Sequence, residues 1–147
     1  MKVLVTGGSG FIGSHIADAL SDAGHNVVLF DTKNSPWLRG DQSMTLGSVL
    51  DAAAVSGAAA GCDVVYHLAA LADINEALNR PRETVETNII GTLNLLEGVR
   101  TQKIKRFIFA SSIYVYSNQG SFYRTTKQAC ENLIGDYHDR YGLECYR

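Results

Sequence analysis

Short runs of β-branched and aromatic residues alternate along the chain with helical stretches of roughly ten to fifteen residues, an order that predicts βαβ units and a parallel sheet. The clearest runs are Lys2 to Thr6, Asn26 to Asp31, Asp63 to Leu68 and Arg106 to Ser111. Each is nearly continuous in apolar side chains, the pattern of a strand covered by helices on both faces. Ser43 to Leu46 is a weaker strand, and Leu143 to Arg147 reads as the start of another. Between them, Ile12, Ile16, Ala19 and Leu20 trace the buried stripe of a first helix that Gly24 ends. Val85, Ile89, Thr92, Leu96 and Val99 recur at intervals of three and four and predict the most regular amphipathic helix. Cys130, Leu133, Ile134, Tyr137 and Tyr141 mark the last helix, ended by Gly142, and Val49 to Ala60 reads as a short Ala-rich helix. No repeat, low-complexity tract or linker divides the chain.

Composition narrows the class. With 147 residues, 46% hydrophobic and 19% charged, the chain has the profile of one soluble globular domain. A domain of this size buries roughly 70% of the surface its unfolded chain exposes, enough for a core without disulfides or metal. The net charge of -2 supplies no basic field for a phosphate backbone, so nucleic acid is not an expected partner. No apolar run approaches the ~20 residues of a membrane span. The start of the chain enters a strand-like run, not a signal-peptide core. Cys62, Cys130 and Cys145 form no CxxC pair and no metal-ligand spacing, so they read as free thiols in a reducing cytosol. His67, inside an apolar strand, reads as a packed core histidine.

The first candidate chemistry follows the first strand directly. In Thr6-Gly7-Gly8-Ser9-Gly10-Phe11-Ile12-Gly13, glycines at 7, 10 and 13 open the first helix. Dinucleotide-binding turns need glycine for a tight bend, for close approach of backbone N–H groups to a pyrophosphate, and for helix–strand contact. Asp31 ends the second strand and completes the ~30-residue unit in which an acidic side chain holds a ribose 2′-hydroxyl. A carboxylate there repels a 2′-phosphate, so NAD is expected ahead of NADP, although Lys33 softens the repulsion.

The second stands at the other end of the chain. Tyr123 and Lys127 lie four apart at the start of the last helix, so both side chains project from one face. A free phenol ionises near pH 10, and only nearby positive charge, such as Lys127 and a nicotinamide, fits it to act as a base at neutral pH. Ser111 and Ser112 end the strand at the carboxyl edge, where open α/β sheets place their ligands.

Taken in order, TGGSGFIG at 6–13, DVVYHLAA at 63–70, Asn88 within TNIIGTLNLL, ASSIYVYS at 110–117 and the YxxxK of Tyr123 to Lys127 resemble the extended short-chain dehydrogenase/reductases of the NAD-dependent epimerase/dehydratase family. The resemblance runs from Lys2 to Arg147. It implies an α/β fold, a Rossmann-type doubly wound parallel sheet over residues 1–147, incomplete at its C-terminal end and lacking a substrate domain. It implies NAD-dependent epimerisation or dehydration of a nucleotide sugar, with Tyr123 as acid/base, Lys127 tuning it and binding the nicotinamide ribose, and Ser112 bonding the reacting hydroxyl. The implied cofactor contacts are Gly7, Gly10, Phe11, Ile12, Gly13, Asp31, Ser48, Val49, Leu68, Ala69, Ala70 and Asn88, besides Tyr123 and Lys127. A homodimer packed through the helix beginning near Thr84 and the one containing Tyr123 is implied too. The alternatives are an NADP-dependent reductase of a ketone and a dinucleotide-binding module without turnover. Two positions depart from the family. Ser48 stands where an acidic residue contacts adenine, and Ser112 and Tyr123 are only eleven residues apart, with Asn118-Gln119-Gly120 as a tight turn between them.

Overall fold

The computed structural model describes residues 1–147, and its centre is a single all-parallel sheet. Its strands are β1 (Lys2–Thr6), β2 (Asn26–Asp31), β3 (Gln42–Leu46), β4 (Val64–His67), β5 (Arg106–Phe109) and β6 (Glu144–Tyr146), arranged in the order β3-β2-β1-β4-β5-β6. This is the doubly wound order, in which the chain leaves β1 in one direction and returns through β4 in the other. The helices are α1 (Phe11–Asp22), α2 (Ala52–Ala59), α3 (Ile74–Asn79), α4 (Pro81–Val85), α5 (Gly91–Thr101) and α6 (Ser121–Tyr141).

Alternation along the strands divides the core in two. Leu4, Phe30, Val65 and Phe107 face Val55 of α2, Leu95, Leu96 and Val99 of α5, and Cys130 and Ile134 of α6. Val3, Val5, Val27, Leu29 and Val64 pack on the opposite face with Ala17 of α1. Both faces are therefore covered, which accounts for the continuous apolar runs of β1, β2 and β4.

The helix predicted over residues 85–99 differs in a way that matters for the site. It starts earlier, at Pro81, and passes through one π-helical turn, Glu86–Ile90, before continuing as α5. The wider turn rotates the chain, so ahead of α5 the buried positions are Thr84 and Asn88, while Val85 is 40% exposed. Tyr141, expected on the buried stripe of the last helix, is 54% exposed and carries the Arg100 guanidinium 5.2 Å from its ring centroid. β4 and β5 are shorter than their apolar runs, ending at His67 and Phe109.

The turn from β1 into α1 is shaped by the glycines. Gly7 takes φ of 71° and a Cβ there would lie 2.7 Å from the Ala69 nitrogen. A Cβ on Gly13 would lie 2.1 Å from the Gly7 carbonyl oxygen. Gly57, exposed in α2, has nothing within 4 Å of its own added Cβ. Replacing glycine by alanine in an open helix stabilises by ~1 kcal/mol, whereas forcing atoms into a packed contact costs ~1–3 kcal/mol. Urea denaturation is therefore expected to show Gly57→Ala more stable than the parent protein and Gly13→Ala less stable. Equal shifts would contradict the packing described.

Candidate dinucleotide-binding site

At the carboxyl ends of the strands, where β1 and β4 send their connections to opposite sides, lies a cleft of about 840 Å³. Open α/β sheets bind ligands in such a crevice. One end is built by the glycine loop. Gly7, Gly10, Phe11, Ile12 and Gly13 line it, and Gly10 at the N-cap of α1 offers no side chain to the first turn. The leading N–H groups of a helix have no partner within it and carry positive partial charge, the condition for holding an anion.

Asp31, at the tip of β2, shares this end. Its carboxylate accepts a hydrogen bond from the Ser9 N–H at 3.0 Å and a longer one from the Lys33 N–H at 3.3 Å. The Ser9 hydroxyl donates to the Lys33 carbonyl at 2.7 Å, so the loop and the end of β2 are tied together. Ser48 and Val49 form the adjoining wall. The Ser48 hydroxyl accepts from the Leu50 N–H at 3.2 Å. Val49 fills the space left by Gly91, where an added Cβ would lie 2.5 Å from its Cγ2.

Leu68, Ala69 and Ala70 leave β4 and line the middle of the cleft. They are held down on β1: the Leu68 N–H donates to the Thr6 carbonyl at 3.1 Å and the Ala69 N–H to the Thr6 hydroxyl at 3.3 Å.

Tyr123 and Lys127 close the far end from the first two turns of α6. Lys127 is 3% exposed; its Nζ donates to the Ala110 carbonyl at 2.7 Å and sits 4.4 Å from the Phe109 ring centroid and 5.8 Å from that of Tyr123. Burial pulls the Lys127 pKa down to about 8. The Tyr114 ring meets Tyr123 edge-on, at 6.5 Å between centroids.

Two residues expected at the site, Ser112 and Asn88, lie outside the cleft lining. Ser112 accepts from the Tyr114 N–H at 3.3 Å as the cap of a 3₁₀ turn, Ile113–Tyr116. Its neighbour Ser111 lines the cleft instead, with its hydroxyl donated to Glu131 at 2.6 Å. Asn88 is 2% exposed and spends its amide on protein groups: Oδ1 accepts from the Leu71 N–H at 2.8 Å, and Nδ2 donates to the Leu71 carbonyl and the Thr126 hydroxyl. It joins the cleft floor to α6 from behind. His67, 1% exposed, is the packed core histidine expected from its strand.

Sequence reading did not single out Arg80, Glu76 and Glu83, which stand at the mouth. Arg80 is ion-paired to both glutamates, four residues before it and three after it. That helical charge spacing was the available signal.

The lining has the features a dinucleotide requires: a loop whose glycines leave no room for Cβ atoms, an uncapped helix start facing the space, and one carboxylate at the tip of β2. Comparison with known proteins agrees. UDP-glucose 4-epimerase of Yersinia pestis is 39% identical over 131 residues, which cover 81% of this chain and 39% of that protein. The crystal structure of UDP-glucose 4-epimerase from Thermotoga maritima with UDP-glucose superposes with a TM-score of 0.92 at 29% identity, covering 99% of this chain and 53% of that one. The Brucella ovis UDP-glucose 4-epimerase in complex with NAD gives a TM-score of 0.91 at 30% identity, with 98% and 50% covered. The chain thus spans about half the length of these structures, and less of the Yersinia relative. A family model, the NAD dependent epimerase/dehydratase family, matches residues 3–146. With that match over the sheet and cleft alike, the chain belongs to the NAD dependent epimerase/dehydratase family.

Proposed function

We propose that residues 1–147 are the NAD-binding part of a nucleotide-sugar epimerase or dehydratase. The observation that carries this reading is the placement of two chemistries at opposite ends of one cleft. The uncapped α1 and Asp31 form one end, and Tyr123 with Lys127 forms the other. The relatives named above act on or bind UDP-sugars, and one of them holds NAD.

In this reading the start of α1 holds the pyrophosphate and Asp31 holds the adenosine ribose hydroxyls, disfavouring a 2′-phosphate. Bound NAD supplies a hydride acceptor for the sugar carbon. Tyr123 takes the proton of the sugar hydroxyl and returns it later. Lys127, as an ammonium, holds the nicotinamide ribose and sets its charge 5.8 Å from the Tyr123 ring centroid. Tyr123 is the proton-handling group of this reading; the Ser111 hydroxyl spends its hydrogen on Glu131, whereas Ser112 only accepts at its cap and keeps its hydrogen to donate to the reacting hydroxyl. The rival ketone-reductase reading prefers NADP, which Asp31 opposes. The three free thiols fit a reducing cytosol. No helix is long and apolar enough to cross a membrane. A second copy of the chain is proposed to pack on α5 and α6, where Tyr141 and, ahead of α5, Ile90 stay exposed.

Three measurements test these statements. In calorimetry the protein should bind NAD more tightly than NADP. Asp31→Ala should weaken NAD binding about tenfold or more, equivalent to about 1.4 kcal/mol, while Tyr123→Phe leaves it nearly unchanged. Absence of NAD binding by the folded protein would sink the proposal. Second, Lys127 is charged below its pKa and neutral above it, so NAD affinity should decline as pH rises past about 8. A Lys127→Met variant should lack that decline, and a decline that persists in it contradicts the role given to Lys127. Third, sedimentation equilibrium should report a dimer that Tyr141→Lys disrupts; a monomer at all concentrations removes the second copy.

A further inference from the structure

His67 is buried among the cleft's supports, yet no step above uses it. Both ring nitrogens are engaged, Nδ1 with the Thr6 hydroxyl at 2.7 Å and Nε2 with the Thr92 hydroxyl at 2.9 Å. Each hydroxyl owns a single hydrogen, so the surrounding bonds decide which nitrogen carries the proton. The Thr92 hydroxyl spends its hydrogen on the Asn88 carbonyl, 2.6 Å away, and can only accept from His67. The Thr6 hydroxyl accepts from the Ala69 N–H, and the imidazole is the acceptor its own hydrogen finds. The arrangement satisfies every member only with the proton on Nε2. The opposite tautomer leaves the buried Thr6 hydrogen without an acceptor, a costly state.

The chain continues. The Asn88 carbonyl, whose place in the π-helical turn brings it within reach of two side chains, also accepts from the Cys130 thiol of α6 at 3.1 Å. The Asn88 amide donates to the Thr126 hydroxyl at 3.0 Å, and that hydroxyl donates to the Tyr123 carbonyl at 2.8 Å. A protonated imidazole would have two donors for one acceptor. It would also face the positive charge of Lys127 across the Phe109 ring, which lies 5.7 Å from the imidazole.

We propose that His67 is a positioning residue: as the neutral Nε2–H tautomer it joins the cleft floor at Thr6 and Ala69, through Thr92 and Asn88, to the turn of α6 that carries Tyr123 and Lys127. Removing its two nitrogens frees the Thr6–Ala69 part of the floor from Thr92 while the Leu71–Asn88–Thr126 tie stays, and a ligand that spans both ends loses affinity. The affinity arm rests on the NAD reading given above; the tautomer arm does not.

The test begins with nitrogen NMR of ¹⁵N-histidine-labelled protein without cofactor, the His67 signals being assigned by their loss in His67→Gln. At neutral pH, Nδ1 should resonate as an unprotonated nitrogen and Nε2 as a protonated one. The reverse pattern, or an imidazolium, overturns the proposal whether or not NAD binds. Affinity is then compared by calorimetry in variants shown to be folded. His67→Phe should weaken NAD binding about tenfold, while His67→Gln, which keeps one acceptor and one donor, should stay within about threefold of the parent. Parent-like binding by His67→Phe contradicts the positioning role. So does equal loss in both variants. If His67→Phe does not fold, the parent spectrum and the Gln variant still decide. If the parent protein itself binds no NAD, the cofactor reading fails and the spectrum alone judges the tautomer.

Discussion

The cleft depends on β1 being paired on both sides. β2 aligns with it from Lys2–Asn26 to Thr6–Phe30, and β4 from Val3–Val64 to Thr6–His67, so Thr6 marks the level at which both pairings end. Beyond that level, the Gly7 N–H donates to the Phe30 carbonyl and the Leu68 N–H to the Thr6 carbonyl, and then the three connections separate. The glycine loop, Asp31 and the Leu68–Ala70 segment are thereby set around one opening. A one-residue slip of either partner would turn its side chains to the wrong face and move its loop off the rim. Close packing at Gly7 and Gly13 holds the first of these segments within reach of the others.

The far end relies on polar bonds behind the sheet. α6 is packed on the core by Cys130 and Ile134. Apolar contact alone is non-directional, however, and leaves the rotation of a helix loosely set. The buried amide of Asn88 and the hydroxyls of Thr92 and Thr126 supply direction, because each must be satisfied at one geometry. Lys127 shows the same economy of placement. Its ammonium is buried between the Ala110 carbonyl and the Phe109 ring, and the desolvation that brings its pKa down also leaves the charge poorly screened beside Tyr123.

Much of this was legible before the fold was known. The strands could be read because parallel strands covered on both faces leave continuous apolar runs, and the glycine loop because its spacing sits between a strand and a helix. Tyr123 and Lys127 were legible as neighbours from their four-residue interval. The π-helical turn was hidden, since an apolar pattern of threes and fours looks the same on either side of one inserted residue; the exposure of Val85 and the burial of Asn88 followed from it. Both Ser111 and Ser112 were legible as the carboxyl end of a strand; that Ser111 lines the cleft wall is seen only in the fold. The hydrogen-bonded chain through His67 joins residues 6, 67, 88, 92 and 126, and no local window contains them.

If one dinucleotide spans the opening at the carboxyl edge of the sheet, titrating NAD into ¹⁵N-labelled protein will shift the backbone amides of Gly10 to Gly13, Asp31, Ala69 to Leu71 and the residues around Tyr123, with the opposite edge near Arg106 and Glu144 unmoved. Shifts confined to that opposite edge, or to one end of the cleft only, would contradict this placement.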